Sequence, residues 1–281
     1  MSFLDHIDRC NAHDIDRFLP FRVDGTTVGH VRPDNAAHLA RFPDVFDVGA
    51  AEIGLAPGLD SYEARTEAVG DVLRALNAEG VLTGWRNEPY PVSTSWSGRR
   101  AFQIERAAAP FLGVRAYGVH VNGWVRGDDG PMMWIGRRAD DRPVCPGALD
   151  NMIAGGQPVG LGLHENVVKE AGEEAGVPPE LARRAVAVGA ITYTMENELG
   201  LKPDMMFCFD LELPAEFVPR NADGEISEFR LLPATEAMRI VDETFEFKFN
   251  CNLVNIDFFI RHGVLPPEHP DYETILRRLR S

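Results

Sequence analysis

The chain has 281 residues, enough for one large or two modest globular domains. Hydrophobic residues make up 44% of it, and no apolar run approaches the roughly 20 residues that span a bilayer, which argues against a membrane protein. The net charge of −15 repels nucleic acid backbones, and the N-terminus carries no basic segment followed by an apolar stretch. We therefore expect a cytoplasmic protein without nucleic acid or membrane partners.

Local patterns in the first hundred residues predict a mixed α+β unit. FRVDGTTVGHV is typical of a hairpin whose turn is Asp24-Gly25, because a tight hairpin turn needs positive φ at its centre. Asp60 with Glu63 resembles a capping box, and the apolar residues that follow repeat at helical spacing up to Gly80. The proline-rich stretch WRNEPYPVS then predicts a linker or ordered loop. Nothing in this unit indicates catalysis.

The second half alternates strands and helices. From Phe111, GVRAYGVHVNGWVR and MMWIGRR predict a second hairpin, and the glycine-rich AGGQPVGLGL leads into a helix. Strands are predicted for AVGAITYTM, MMFCFDLEL and EISEFRLL. An apolar helix is predicted for NLVNIDFFIRHG, and a final basic helix for YETILRRLR. We therefore divide the chain into an accessory α+β domain, residues 1–110, and a larger α/β domain, residues 111–281.

The most informative segment is a predicted helix that begins near Leu163 and ends at Gly176. Glu170, Glu173 and Glu174 stand beside its apolar stripe, and offsets of three and four residues place their Cβ atoms roughly 5–6 Å apart. Like charges this close repel one another, and a divalent cation such as Mg²⁺, which takes oxygen ligands, relieves the repulsion. The alternative for an isolated glutamate triplet is an ordinary solvated face.

A glycine-rich stretch before this helix favours a ligand site over a plain surface. Gly155, Gly156, Gly160 and Gly162 let the backbone turn sharply and approach a ligand closely. Lys169, next to the glutamates, can orient a carboxylate or neutralise a phosphate.

The segment KEAGEEAGV resembles the second half of the Nudix hydrolase box. In that box a Gly, five residues, a Glu and seven residues precede Arg-Glu-aliphatic-x-Glu-Glu-x-Gly-aliphatic. The match holds at every defined position of this half except that Lys169 replaces the Arg. The first half departs from the family, because its glutamate falls on Leu161 when counted back from Lys169 and on Gly162 when counted forward from Gly156. That carboxylate, with any metal contact or salt bridge it provides, is absent.

The resemblance implies a Nudix α/β/α sandwich with a mixed sheet for the second domain. It also implies that Glu170, Glu173 and Glu174 are metal ligands, with the Gly155 carbonyl as a further ligand. The ion would be Mg²⁺, with Mn²⁺ as a substitute, polarising a diphosphate and activating the attacking water. Glu173 or Glu174 would act as the base, and four acids elsewhere are weaker candidates for that role: Glu196, Glu198, Asp204 and Glu225.

Other stretches resemble a narrower group over nearly the whole chain. They are similar to a Nudix subfamily associated with fungal thiamine pyrophosphokinases, and they comprise RFPDVF, LDNMIAGGQPVGLG, YTMENELGLKPD and FKFN. That resemblance implies hydrolysis of a thiamine diphosphate-like small molecule, especially its oxidised forms, to the monophosphate and phosphate. A nucleoside diphosphate linked to another group, such as a dinucleotide or nucleotide sugar, is the alternative substrate. A non-catalytic binding module is the alternative class, and a homodimer is left open.

Aromatic side chains are candidates for contact with a cationic or flat heteroaromatic ligand. Trp134 and Tyr193 are the main ones, with Trp96 and Phe209 also available. Packing in the core is the ordinary role of such residues.

Basic side chains near the glycine-rich stretch are candidates for phosphate contact. Arg137 and Arg138 end the MMWIGRR strand, and guanidinium groups suit phosphate oxygens, as does the ammonium of Lys169. His120 and His164 are weaker candidates for a base, since no Ser-His-Asp order accompanies them.

Overall fold

The structure is a computed structural model that describes residues 2–280. Its helices are α1 (Phe3–Cys10), α2 (Pro33–Leu39), α3 (Tyr62–Ala78), α4 (Ala109–Leu112), α5 (Leu163–Ala175), α6 (Pro179–Ala182), α7 (Ala234–Glu243), α8 (Cys251–Arg261) and α9 (Tyr272–Arg278). Its strands are β1 (Leu19–Val23), β2 (Thr26–Val31), β3 (Phe46–Val48), β4 (Ile53–Leu55), β5 (Pro89–Val92), β6 (Phe102–Glu105), β7 (Tyr117–Gly127), β8 (Gly130–Arg138), β9 (Leu149–Asn151), β10 (Ile153–Gly156), β11 (Val186–Glu196), β12 (Leu201–Glu212) and β13 (Ile226–Pro233). Within residues 2–280, no helix is long and apolar enough to cross a membrane.

The first half contains a small sheet in the order β2-β1-β4-β3, with α3 packed in the same core. The predicted hairpin is confirmed: β1 and β2 pair antiparallel around Asp24 and Gly25, whose φ values of 50° and 73° fit a tight hairpin turn. The expected capping residue is wrong by one position. Ser61, not Asp60, caps α3, because its hydroxyl accepts the Ala64 N–H at 3.1 Å.

The proline-rich stretch after α3 is more ordered than its composition predicts. Residues 89–92 form β5, which pairs antiparallel with β6 to make a separate hairpin, here called the accessory hairpin. Prolines are tolerated in such a two-stranded edge because their nitrogens need no partner on the open side. This hairpin lies next to the glycine strand β10, since the Val159 N–H donates to the Pro89 carbonyl at 2.8 Å.

The second half forms a three-layer α/β/α sandwich, as the resemblance implies. Its sheet has the order β11-β12-β7-β8-β13, with β10 beside β7 and β9 beside β8. β12 runs parallel to β7 while the other pairs are antiparallel, so the sheet is mixed. α5 covers one face through Val167, Ala171 and Ala175, and α7 and α8 cover the other.

The N-terminal helix packs with the second half of the chain and not with the small sheet. Phe3, Ile7 and Cys10 lie on one face of α1 and are buried against α8 and α9. Residues 3–10 therefore pack on the sandwich, although they precede the small sheet in sequence. The boundary at residue 110 stays a prediction.

Hydrogen bonds join the two halves at the far end of β11. Arg32 donates to the Glu196 carboxylate at 3.0 Å and to the Asn197 carbonyl at 2.6 Å, while the His30 N–H donates to the Gly113 carbonyl at 3.2 Å. Gly113 has φ of +59°, and a Cβ there would lie 1.8 Å from the His30 carbonyl oxygen. Only glycine fits at that contact.

Candidate active site

The predicted helix forms with the expected limits, because both ends are capped. At its start the Glu165 carboxylate accepts the Gly162 N–H at 2.9 Å. At its end Gly176 adopts the left-handed conformation, with φ of 60°. Buried Asn166 donates to the Gly156 carbonyl at 2.8 Å and so fastens the helix to the glycine strand.

Two of the three predicted carboxylates lie against β10. Glu174 is buried and accepts the Ala154 N–H at 2.8 Å. Glu170 lies against Gly155, where an added Cβ would be 2.3 Å from its carboxyl carbon. The absence of a side chain at Gly155 is therefore what lets the Glu170 carboxylate approach the strand. Gly155 and Gly156 lie in a strand and serve close approach, not the sharp turn expected from the sequence.

Burial changes the acidity of both carboxylates. It raises the pKa of Glu174 well above the ordinary value, opposed by the Ala154 N–H and reinforced by the negative charges of Asp150, Glu170 and Glu225. It also raises the pKa of Glu170, which Lys169 opposes. Neighbouring buried carboxylates that resist ionisation indicate a site where a bound cation lowers the free energy of the charged form.

The third carboxylate lies apart from this pair. Glu173 is about half exposed and accepts from the Lys169 ammonium at 2.7 Å, which also donates to Glu170 at 3.2 Å. Consequently no group of three acidic, histidine or cysteine side chains converges as a metal site among residues 2–280. Lys169 stands where the family has arginine. Position 161 is a leucine and offers no carboxylate, and the Lys169 ammonium pairs with Glu170 and Glu173 instead.

The carbonyl expected to complete the metal site points the other way. In a strand the N–H and C=O of one residue share an edge, and the next residue uses the opposite edge. The Ala154 N–H faces Glu174, so the Ala154 carbonyl lies on that edge too. The Gly155 carbonyl instead faces β7, 3.0 Å from where a Cβ on Gly118 would lie. The carbonyl on the edge that Glu174 occupies is therefore that of Ala154, and not that of Gly155.

Of the four acids outside the helix, Glu225 acts electrostatically on Glu174. Its charge contributes to the raised pKa of Glu174, and its carboxylate is paired with Arg142 at 2.6 Å. Glu196 is bound to Arg32 between the two halves, and Asp204 accepts from the Tyr193 hydroxyl at 2.8 Å. Glu198 uses its backbone carbonyl as an acceptor for the same Arg32. Among these four acids, Glu225 is the one whose charge acts on Glu174.

The two strand-end arginines are engaged in other contacts. Arg138 is buried, donates to Asp150 at 2.8 Å and also binds the carbonyls of Val144 and Cys145. Arg137 lies 3.7 Å from Asp140 and remains partly exposed. Arg138 is therefore held in the core by Asp150 and these carbonyls, and the structure does not place it at the candidate site.

The two predicted aromatic contacts lie in separate cores. Trp134 is buried on the α5 side of the sheet. Tyr193 is buried on the α8 side, where its ring contacts Phe249 and its hydroxyl donates to Asp204. Neither ring is exposed to the edge of β10, and the structure does not bring them together.

A buried polar network behind β10 was not predicted. The Asn151 side-chain oxygen accepts from the His120 ring at 2.9 Å, and the Asn151 amide nitrogen donates to Asn122 and Asn255 at 3.0 and 2.8 Å. Burial, with the positive charge of Lys248 adding to it, lowers the pKa of His120 to about 4. His120 is thus a neutral core residue, whereas His164 is exposed on α5.

Residues of the accessory hairpin also reach the glycine strand. An added Cβ at Gly156 would lie 1.8 Å from the Tyr90 hydroxyl and 3.2 Å from the Arg106 guanidinium carbon. Arg106 follows β6 directly and donates to Glu88 at 2.8 Å. These residues are far from the helix in sequence and carry no motif, so no local pattern predicts their presence here.

The oxygen donors present fit a hard divalent cation. Glu170 and Glu174 supply carboxylate oxygens, and Ala154 supplies a carbonyl on the same edge. Mg²⁺ takes such ligands and keeps several waters for the remainder of its octahedral shell. An acidic capped helix packed against a glycine-containing edge of a mixed sheet, within an α/β/α sandwich, is the arrangement of a Nudix domain.

Comparison with known proteins agrees with this class. A family model described as NUDIX domain matches residues 116–253, and one described as Domain of unknown function (DUF4743) matches residues 2–116. The chain is similar to Nudix hydrolase 24, chloroplastic, of Arabidopsis thaliana, with 42% identity covering 100% of this chain and 78% of that protein. Nudix hydrolase 20, chloroplastic, of the same plant is 40% identical with the same coverage. The chain therefore belongs to the Nudix hydrolase family.

Among solved structures, the NUDIX domain of Shewanella oneidensis NrtR, determined as a complex with ADP ribose, is 12% identical to this chain. The match covers 53% of this chain and 88% of that one, with a TM-score of 0.42.

Proposed function

We propose that this Nudix hydrolase cleaves the phosphoric anhydride of a small-molecule diphosphate at the edge of β10, with Mg²⁺ held by Glu170 and Glu174. The observation that carries the proposal is the approach of both carboxylates to the same short strand, Glu174 at its edge through the Ala154 N–H and Glu170 over its face in the space left by Gly155. When bound, the ion polarises the diphosphate and lowers the pKa of a bound water.

The roles of the chain's own residues follow from their surroundings. Glu174 is fixed by the strand amide and therefore positions the ion, whereas Glu173 is exposed and free to rotate once Lys169 releases it. Glu173 and Glu225 are the candidates for the base, because both carboxylates are partly accessible, Glu173 stands on the same helix as the pair, and the charge of Glu225 acts on Glu174. Lys169 then neutralises either a carboxylate or a phosphate oxygen.

For the substrate we infer a thiamine diphosphate-like molecule, in particular an oxidised form, cleaved to the monophosphate and phosphate. Support comes from the resemblance of stretches throughout the chain to the subfamily associated with thiamine pyrophosphokinases. Two of those stretches meet behind β10, where LDNMIAGG supplies Asp150 and Asn151 and FKFN supplies Lys248, which lies 3.5 Å from Asp150. A nucleoside diphosphate linked to a second group would use the same carboxylates.

The test is phosphate release by the purified full chain with Mg²⁺ on a panel of substrates. The panel compares thiamine diphosphate, its oxo and oxy forms, ADP-ribose, NADH and nucleoside triphosphates, with Glu174→Gln as the inactive control. Preferential turnover of the oxidised thiamine diphosphates, abolished in the control, supports the proposal. Preferential turnover of a nucleotide overturns the substrate, and turnover of nothing favours a binding module over an enzyme.

Two further expectations stand with this proposal. The cytoplasmic location predicted from the sequence stays a prediction, and the names of the two plant relatives place those proteins in the chloroplast. A homodimer is likewise a prediction, and sedimentation of the purified chain tests it.

A further inference from the structure

We propose that Arg106, in the accessory unit, binds a phosphate oxygen of the substrate and so makes the accessory hairpin part of the hydrolase site. The inference rests on the proposed function, because it assigns a partner to the diphosphate bound at Glu170 and Glu174. It gives the region matched as a domain of unknown function a role in substrate binding.

The first support is the placement of Arg106. Its guanidinium carbon would lie 3.2 Å from a Cβ on Gly156, the residue next to the one that makes room for Glu170. Backbone contacts hold it there: the Arg106 N–H donates to the Glu88 carbonyl at 2.9 Å, and the neighbouring Pro89 carbonyl accepts from Val159 at 2.8 Å. Because successive strand residues face opposite sides of a sheet, Arg106 and the Glu170 carboxylate lie on opposite faces of one short glycine strand, and a diphosphate that spans the edge of that strand would reach both.

The second support is the engagement of two other basic residues near the carboxylates, Lys169 and Arg138. Lys169 is shared by two glutamates, and Arg138 is buried on Asp150. Arg106 keeps 42% of its side chain exposed and pairs with the carboxylate of Glu88, itself one-third exposed. An exposed pair of this kind contributes little to stability, so an anionic ligand can displace Glu88 at small cost.

The third support is the chemistry of the group. A diphosphate brings more negative charge than one divalent ion neutralises, into a site that already holds Glu170 and Glu174. The planar guanidinium offers several N–H donors in a geometry that matches phosphate oxygens. Tyr90 fixes its orientation, because the Arg106 guanidinium lies 5.8 Å from the centre of the Tyr90 ring and the Tyr90 hydroxyl touches Gly156.

The experiment measures binding of imidodiphosphate, a diphosphate that is not hydrolysed, to the full chain in the presence of Mg²⁺ by calorimetry. Loss of one charge-assisted hydrogen-bonding group predicts that Arg106→Gln weakens binding by about 10- to 100-fold. Arg106→Lys should recover part of the loss, because it keeps the charge without the fork. Arg74→Gln is the matched control, since Arg74 is an exposed arginine of the same unit paired with the single carboxylate of Asp71, and it should bind as the wild type does.

A second variant separates binding from folding. Glu88→Gln removes the carboxylate that competes with the ligand, so binding should tighten severalfold while the melting temperature stays the same or falls. If the arginine serves only the structure, Arg106→Gln lowers the melting temperature and leaves imidodiphosphate affinity within twofold of the wild type, which overturns the assignment. A wild-type chain that binds no imidodiphosphate overturns the proposed function and the assignment with it.

Discussion

Replacing Gly155 with alanine tests the geometry of the metal site through a single methyl group. The new Cβ would lie 2.3 Å from the Glu170 carboxyl carbon and 2.6 Å from one carboxylate oxygen. Carbon atoms in contact stand about 3.5 Å apart, so the carboxylate must retreat by about 1.2 Å. Metal ligands tolerate roughly ±0.2 Å, and a misplacement of about 1 Å at a reacting centre costs on the order of 100-fold in rate. We therefore expect Gly155→Ala to lower Mg²⁺-dependent hydrolysis by about 100-fold.

The assay is phosphate release at increasing Mg²⁺ concentration, with far-ultraviolet circular dichroism to confirm folding. Gly172→Ala is the control, because it adds the same methyl to α5 with nothing within 4 Å, and it should retain activity while gaining up to about 1 kcal/mol in helix stability. If Gly155→Ala folds and stays within a few-fold of Gly172→Ala in activity, the Glu170 carboxylate does not act where the structure places it.

Three further predictions concern the core behind the site. The folded protein protonates His120 only near its pKa of about 4, whereas the unfolded chain takes up that proton near pH 6.5. The free energy of unfolding should therefore fall by about 3 kcal/mol as the pH is lowered from 6.5 to 4. Urea titrations at several pH values should show a weaker pH dependence of stability in His120→Gln, and an unchanged pH dependence contradicts the assignment. Arg138→Met leaves buried Asp150 without its 2.8 Å partner and should cost about 3 kcal/mol in the same assay, while equal stability would mean that Lys248 suffices. Tyr193→Phe removes one hydrogen bond and should cost about 1 kcal/mol without changing KM, whereas a raised KM at unchanged stability would restore this tyrosine to the substrate site.

Local signals predicted those parts of the fold that neighbouring residues determine. The Asp24-Gly25 turn requires positive φ, and the helix that ends at Gly176 carries its own caps, so both appear where the sequence indicated. The same reasoning missed the capping role of Ser61 by one position, because both neighbours are good capping residues. The proline-rich stretch WRNEPYPVS predicts a linker or loop, but residues 89–92 form β5 of the accessory hairpin. A two-stranded hairpin that packs on another domain has no distinct local pattern in the sequence.

The candidate site was predicted in the parts that lie on one helix and missed in the parts that tertiary structure assembles. Spacing alone placed Glu170 and Glu174 on one face. It could not show that strand alternation turns the Ala154 carbonyl, and not that of Gly155, toward them, since a one-residue change of register reverses every edge group. Arg106 was missed because contact with the glycine strand depends on docking of the accessory hairpin.

Direct binding of Mn²⁺, followed by electron paramagnetic resonance, tests the central claim that Glu170 and Glu174 hold a divalent cation. The samples are the wild type, Glu170→Gln, Glu174→Gln and, as a control, Glu165→Gln, which keeps an acceptor for the Gly162 N–H on the same helix. We expect the first two variants to lose at least about 10-fold in affinity and the control to bind as the wild type does. Equal Mn²⁺ affinity in all four proteins would contradict the assignment of the site to these carboxylates.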